Sequence, residues 1–261
     1  DSSVPTGARL FALGSQLLRA AATATDAVAV GYEVLDQADP GNGGKSVGLG
    51  FQVLRAHDAT GAGAIGVGEA VFPTTVSAAP ILGVGRFIAD QDLVTGTDWV
   101  CVGHTLATKA GSGSRVLLLG RQLSTSGVID GTDVYLAGSQ VGADVAGANS
   151  LLLQGALVGD AGTLSGQRWV ALGHELLRQS GSGTDAVVAG YQVADGTAFT
   201  GSALVALGAE LARQSAGLQD AVLLGRQVAG LGAFGGVRVC ASGLELLRNA
   251  TAPSDVVAAG F

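Results

Sequence analysis

Glycine recurs along this chain at a fixed interval, and that spacing restricts the fold more than any other feature. The anchor glycines are Gly14, Gly31, Gly50, Gly68, Gly85, Gly103, Gly120, Gly138, Gly155, Gly173, Gly190, Gly208, Gly225, Gly243 and Gly260. From Gly68 onward the gaps alternate strictly between 17 and 18. The flanking residues repeat as well: Val170-Ala171-Leu172-Gly173-His174-Glu175-Leu176 returns as Val205-Ala206-Leu207-Gly208-Ala209-Glu210-Leu211. Self-similarity at one period is the mark of a stacked repeat array, in which each unit buries its apolar surface against its neighbours.

Indexing each unit on its glycine exposes the pattern. Three residues before it, all fifteen units are apolar, from Phe11 and Val28 to Val170 and Cys240. Three residues after it, all fourteen complete units are apolar, as at Leu17, Val53, Leu176 and Val228. Two residues after it, ten of the fourteen carry Gln or Glu. Apolar beside polar beside apolar reads as a strand with one buried face, and the valine content agrees. Both apolar positions are expected to face the core. The glycine is expected to form a corner, because without a Cβ it adopts positive φ freely. A Gly-, Ser- and Thr-rich loop then returns the chain.

The expected fold is all-β: a parallel β-solenoid of about 15 repeats with a period of 17–18. Short polar returns such as Arg178–Asp185 alternate with longer ones that carry a large apolar residue, at Ile129, Leu164, Phe199 and Phe234. The units therefore pair into a 35-residue double repeat. One coil per single unit and one wide coil per double repeat both fit, and a bend glycine in every half-unit favours the first. Residues 1–9 read as a lead-in or cap, and 10–261 as one continuous repeat domain. The longer loop at Asp39–Lys45 reads as an insertion on the rim. Glu175-Leu176-Leu177-Arg178 would suit a helical turn of a leucine-rich array, but the asparagine ladder of that architecture is missing.

Composition bears on function. A net charge of -7 and a pI near 4.8 disfavour nucleic acid. No apolar run reaches the roughly 18 residues of a membrane-spanning helix, and at 5% aromatics the girdles of a membrane barrel are missing. Cys101 and Cys240 lie eight units apart, too far for a disulfide in a stacked array. Both precede an anchor glycine within an apolar run and are expected to be buried thiols.

No motif in the chain carries recognisable chemistry. Gly61-Ala62-Gly63-Ala64-Ile65-Gly66 matches the dinucleotide fingerprint by letter but has no helix to open. His104 and His174 follow anchor glycines four units apart, beyond reach of one metal ion, and His57 falls in a loop. Asp185, Asp220 and Asp255 recur at one repeat position and read as residues capping their own loops. Asn249-Ala250-Thr251 is formally an N-glycosylation acceptor. The series Gln16, Glu33, Gln52, Gln122, Gln140, Glu175, Gln192, Glu210, Gln227 and Glu245 reads as an amide ladder along stacked strands. No residue is assigned a catalytic, cofactor-binding or metal-ligating role, and no cofactor is expected.

At Val28-Ala29-Val30-Gly31-Tyr32-Glu33-Val34 and Val188-Ala189-Gly190-Tyr191-Gln192-Val193 the chain resembles the repeats of trimeric autotransporter adhesin heads and some phage tail-fibre proteins. That resemblance implies a left-handed parallel β-roll, trimeric association, a place on a cell or virion surface, and no catalytic residues to carry over. The family's shorter period sets this chain apart from it. The expected function is a non-catalytic structural or adhesive fibre component, extracellular or on a virion. The alternatives are a glycan- or ice-binding solenoid and a tail-spike-like glycan depolymerase. Ice binding calls for ranks of threonine, and Thr95 and Thr97 do not repeat in phase. The expected partner is another copy of the chain, side by side or head to tail, with Phe261 covered by the neighbour's Asp1–Leu13 end. A cell-surface glycan is the other candidate partner.

Overall fold

A computed structural model gives the fold. It describes residues 6–7, 9–17, 23–24, 26–34, 45–53, 64–71, 76–77, 81–88, 94–106, 112–123, 128–141, 144–158, 164–176, 181–193, 199–211, 218–228, 236–246 and 254–260. The protein is all-β, with no helix among the described residues. The chain falls into two compact units, Asp1–Ile129 and Asp130–Phe261.

The first unit holds β1 (Thr6–Gly7), β2 (Leu10–Leu17), β3 (Thr23–Ala24), β4 (Asp26–Val34), β5 (Lys45–Val53), β6 (Ala64–Val71), β7 (Val76–Ser77), β8 (Ile81–Ile88), β9 (Val94–Leu106) and β10 (Ser112–Leu123). β11 (Val128–Val141) opens the second. It is followed by β12 (Asp144–Val158), β13 (Leu164–Leu176), β14 (Gly181–Val193), β15 (Phe199–Leu211), β16 (Leu218–Val228), β17 (Gly236–Gly243), β18 (Glu245–Leu246) and β19 (Asp255–Gly260). Each anchor glycine lies in its own strand, and β18 continues the rung of β17 beyond Leu244.

In the first unit β2, β4, β5, β6, β8, β9 and β10 pair in that order, all parallel. In the second, β12 to β17 and then β19 pair in the same way. Paired residues are 17 or 18 positions apart, as in Gly173↔Gly190 and Gly190↔Gly208, except at Val145↔Leu164, where the register shifts by one, and between β4 and β5. Hydrogen-bonded neighbours are therefore consecutive units, and the protein is a parallel β-solenoid. Between β4 and β5 the offset is 19, as in Val28↔Val47. The extra length lies between the paired segments, and Gly31 still meets Gly50.

The strands are longer than the sequence pattern implies. β13, β14 and β15 each run for 13 residues and include Leu164, Gly181–Asp185 and Phe199, which read as loop. A second glycine column explains this. Gly166, Gly183 and Gly201 pair with one another seven residues before the anchors. The ladder skips one residue after each glycine column, at Gln167 and Thr184 and again at His174 and Tyr191. These skipped residues are corners. At the first corner the Thr184 hydroxyl donates to the Gln167 carbonyl (2.7 Å), and the Ser202 hydroxyl donates to the Thr184 carbonyl (2.8 Å). Side chains thus satisfy carbonyls that the backbone ladder passes over.

The core is built from three columns. Side chains four and two residues before the glycine point inward, as do those three residues after it. In β13 these are Trp169, Ala171 and Leu176, all at most 2% exposed. Each fully buried Leu or Val contributes roughly 1.5–3 kcal/mol through burial, and neighbouring coils supply that burial. The position three before the glycine, expected inside, points outward: Val170, Val187, Val205 and Val222 are 36–41% exposed. The corner residue is the cause. It falls out of the alternation, so positions three before and three after the glycine end on opposite faces.

Anchor glycines within the stack also serve a different purpose from the positive φ expected of them, which among the described residues is found at Gly260 (φ 156°). Gly173 does not lie in the left-handed φ region; instead, a Cβ there would overlap the Gly155 carbonyl oxygen and approach Leu176 Cδ2 to 2.9 Å. Gly190 and Gly208 meet the preceding anchor carbonyl in the same way. Close approach of successive coils, and not positive φ, requires glycine here.

Candidate functional surface

The outward columns are the surface these coils present. Between the two corners, the side chains at positions three and one before each glycine form two parallel apolar rows. In the second unit the rows include Val170 with Leu172, Val205 with Leu207, and Val222 with Leu224, all between 36% and 43% exposed. The first unit repeats them at Ile65 with Val67 and Leu82 with Val84. No described residue of either row is charged. A parallel sheet is usually apolar on both faces because both are covered. Here one face lies open.

A charged column borders the apolar rows, five residues before the glycine. Arg115 pairs with Asp98 through two hydrogen bonds of 2.5 and 2.8 Å. Arg238 donates to Asp220 at 2.7 Å and is in register with Asp255 on its other side. Arg168 and Asp185 are in register on β13 and β14. Asp185, Asp220 and Asp255 therefore lie on strands, Asp185 beside Arg168 and the other two on either side of Arg238, where the sequence suggested loop caps. Their recurrence was legible, but the role was not, because the paired arginine sits one unit away and not in the same loop.

The corner beyond the anchor carries aromatic, His and Arg residues. Tyr32 and Phe51 stack at 5.0 Å with planes 2° apart. His174 stacks on Tyr191 at 5.1 Å, with Nδ1 3.7 Å from Glu175 Oε1. Arg86 pairs with Glu69 at 3.4 Å. His104 lies between Arg86 and Arg121 in this column, with Nε2 3.4 Å from Arg121 Nη1 and Nδ1 3.1 Å from Thr105 Oγ1. A neutral ring that accepts from Arg121 and donates to Thr105 fits both contacts. One residue further on, Gln192 donates to Glu210 (3.0 Å) and Gln227 to Glu245 (3.1 Å). The amide ladder expected from the sequence is present at these rungs.

The two cysteines separate. Cys101 is buried, and burial pushes its thiol up to about 12, with a Gly83 backbone hydrogen bond opposing. Cys240 is exposed on the apolar face, in register between Val222 and Val257. The expectation that both are buried fails for Cys240, because the two occupy adjacent columns of opposite direction. His104 and His174 belong to different units, and the described residues contain no group of three metal-ligating side chains. Ala64, Ile65 and Gly66 of the dinucleotide-like stretch lie in β6. His57, Phe234, Phe261 and the Asn249 sequon lie outside the described residues.

The apolar rows are the feature that sequence reasoning missed. The signal was available: four apolar residues run without a break in Trp169-Val170-Ala171-Leu172, so two of them must point outward. Along Val205, Val222, Cys240 and Val257 the face dips into an open trough of about 630 Å³, bordered by Arg238 and Asp255. Compared with known protein families, curated proteins and solved structures, the chain matches none.

Proposed function

We propose that this protein is a non-catalytic structural element, a fibre or adhesive component that works by associating with copies of itself at a cell or virion surface. One observation carries the reading: its polar side chains bond the next coil. Arg115 with Asp98, Thr105 with Gln122, Gln192 with Glu210 and Arg238 with Asp220 all join residues 17 or 18 apart. Catalysis needs polar groups converging on one point with perturbed titration. These groups instead run as ladders that stiffen the stack. The resemblance to adhesin-head and tail-fibre repeats points the same way. Negative-stain electron micrographs of the purified protein test it. Rods or fibres are expected. Compact single particles, together with glycan cleavage abolished by one carboxylate substitution, would replace this reading with a depolymerase.

A further inference from the structure

The open apolar face of the second unit needs an occupant. Exposed apolar patches of this regularity mark interaction sites. We infer that it docks against the same face of a second copy of this chain, sheet to sheet. Periodicity points to that partner. The rows advance one strand spacing, about 4.8 Å, per coil, so a partner touching every rung must repeat at that spacing. A second copy does so by construction. Opposed sheets pack about 10 Å apart with side chains interdigitating, and valine and leucine rows of one face fit between those of another.

Charge points the same way. A chain with a net charge of -7 would ordinarily repel itself. The border of this face carries charges of both signs, with Arg168 and Arg238 among Asp133, Asp185, Asp220 and Asp255, so the arginines of one copy can meet aspartates of the other. Arg238 lies between Asp220 and Asp255, and Arg168 lies beside Asp185. The rows themselves carry only Val, Leu, Ala, Tyr, Cys, Gln154 and Ser242 in this unit. An apolar centre with a polar rim is the layout of a protein interface.

A lateral dimer without filaments would keep this inference and sink the fibre reading, so the two fail separately. The test is sedimentation velocity at micromolar concentration on the wild type, a Val187→Lys, Val222→Lys double variant, and a Tyr191→Lys control outside the face. The wild type and the control are expected to assemble. The double variant is expected to lose the assembled peak with an unchanged far-UV spectrum. Cys240 supplies a second readout that needs no variant. Its labelling by a maleimide should slow as wild-type concentration rises from nanomolar to micromolar, while buried Cys101 contributes no background. A monomeric wild type, an assembly indifferent to the two lysines, or Cys240 labelling independent of concentration would overturn the inference. So would an apolar face that is protected only when phosphatidylcholine vesicles are added.

Discussion

At the scale of single residues, the anchor glycine and the core thiol carry the clearest consequences. Gly173 leaves no room for a methyl group, because the obstructing atom is the Gly155 carbonyl oxygen, which belongs to the ladder. Gly173→Ala is therefore expected to cost about 3 kcal/mol or more in urea unfolding. Ser242→Ala, on an exposed outward position, should stay within about 0.5 kcal/mol. Cys101 adds a pH dependence. Its thiol is raised from 9.0 to about 12 in the folded chain, so the unfolded chain ionises first. Folded stability should fall as pH rises from 9.0 toward about 12, by about 1.4 kcal/mol per pH unit at most. Unfolding titrations of wild type and Cys101→Ala compared across that window should show the shallower slope in the variant.

At the scale of the strand, stability comes from columns and not from isolated contacts. Gln192 stands in register between Glu175 and Glu210 and donates to the latter. Gln192→Glu would set three carboxylates on successive rungs. The expected result is a loss of about 1 kcal/mol near neutral pH, from like charges directly opposite each other. The loss should disappear below about pH 4, where carboxylates protonate. Thermal melts at the two pH values check it. This column was legible in the sequence because Gln or Glu recurs at one index from the glycine. The orientation of Val170 was not legible. Alternation can be counted along a straight strand, but His174 drops out of the ladder at the corner, and the count slips by one. Gly166 and Gly183 misled in the same way: glycine beside Ser and Thr reads as a turn, whereas here it bends a strand that stays paired. Asp220 read as a loop cap because its partner Arg238 is 18 residues distant. Local sequence rules cannot see a bond that exists only once coils are stacked.

At the scale of the whole molecule, one geometric fact underlies the rest: within each compact unit, each repeat of the 17–18 period is one coil, stacked in register on the next. The buried columns, the ion and amide ladders and the open apolar face all follow from it. So does the tolerance of β4 and β5 to an offset of 19, since extra residues outside the paired segments leave Gly31 opposite Gly50. The most direct measurement is a spin–spin distance within the second unit. Ser139 and Leu244 are exposed, each one residue past an anchor glycine, on β11 and directly after β17. With both cysteines replaced, Ser139→Cys and Leu244→Cys would carry the labels. Six stacked coils predict a separation of about 29 Å. A distance of about 14 Å, the value for three wide coils of two units each, would contradict the one-coil unit.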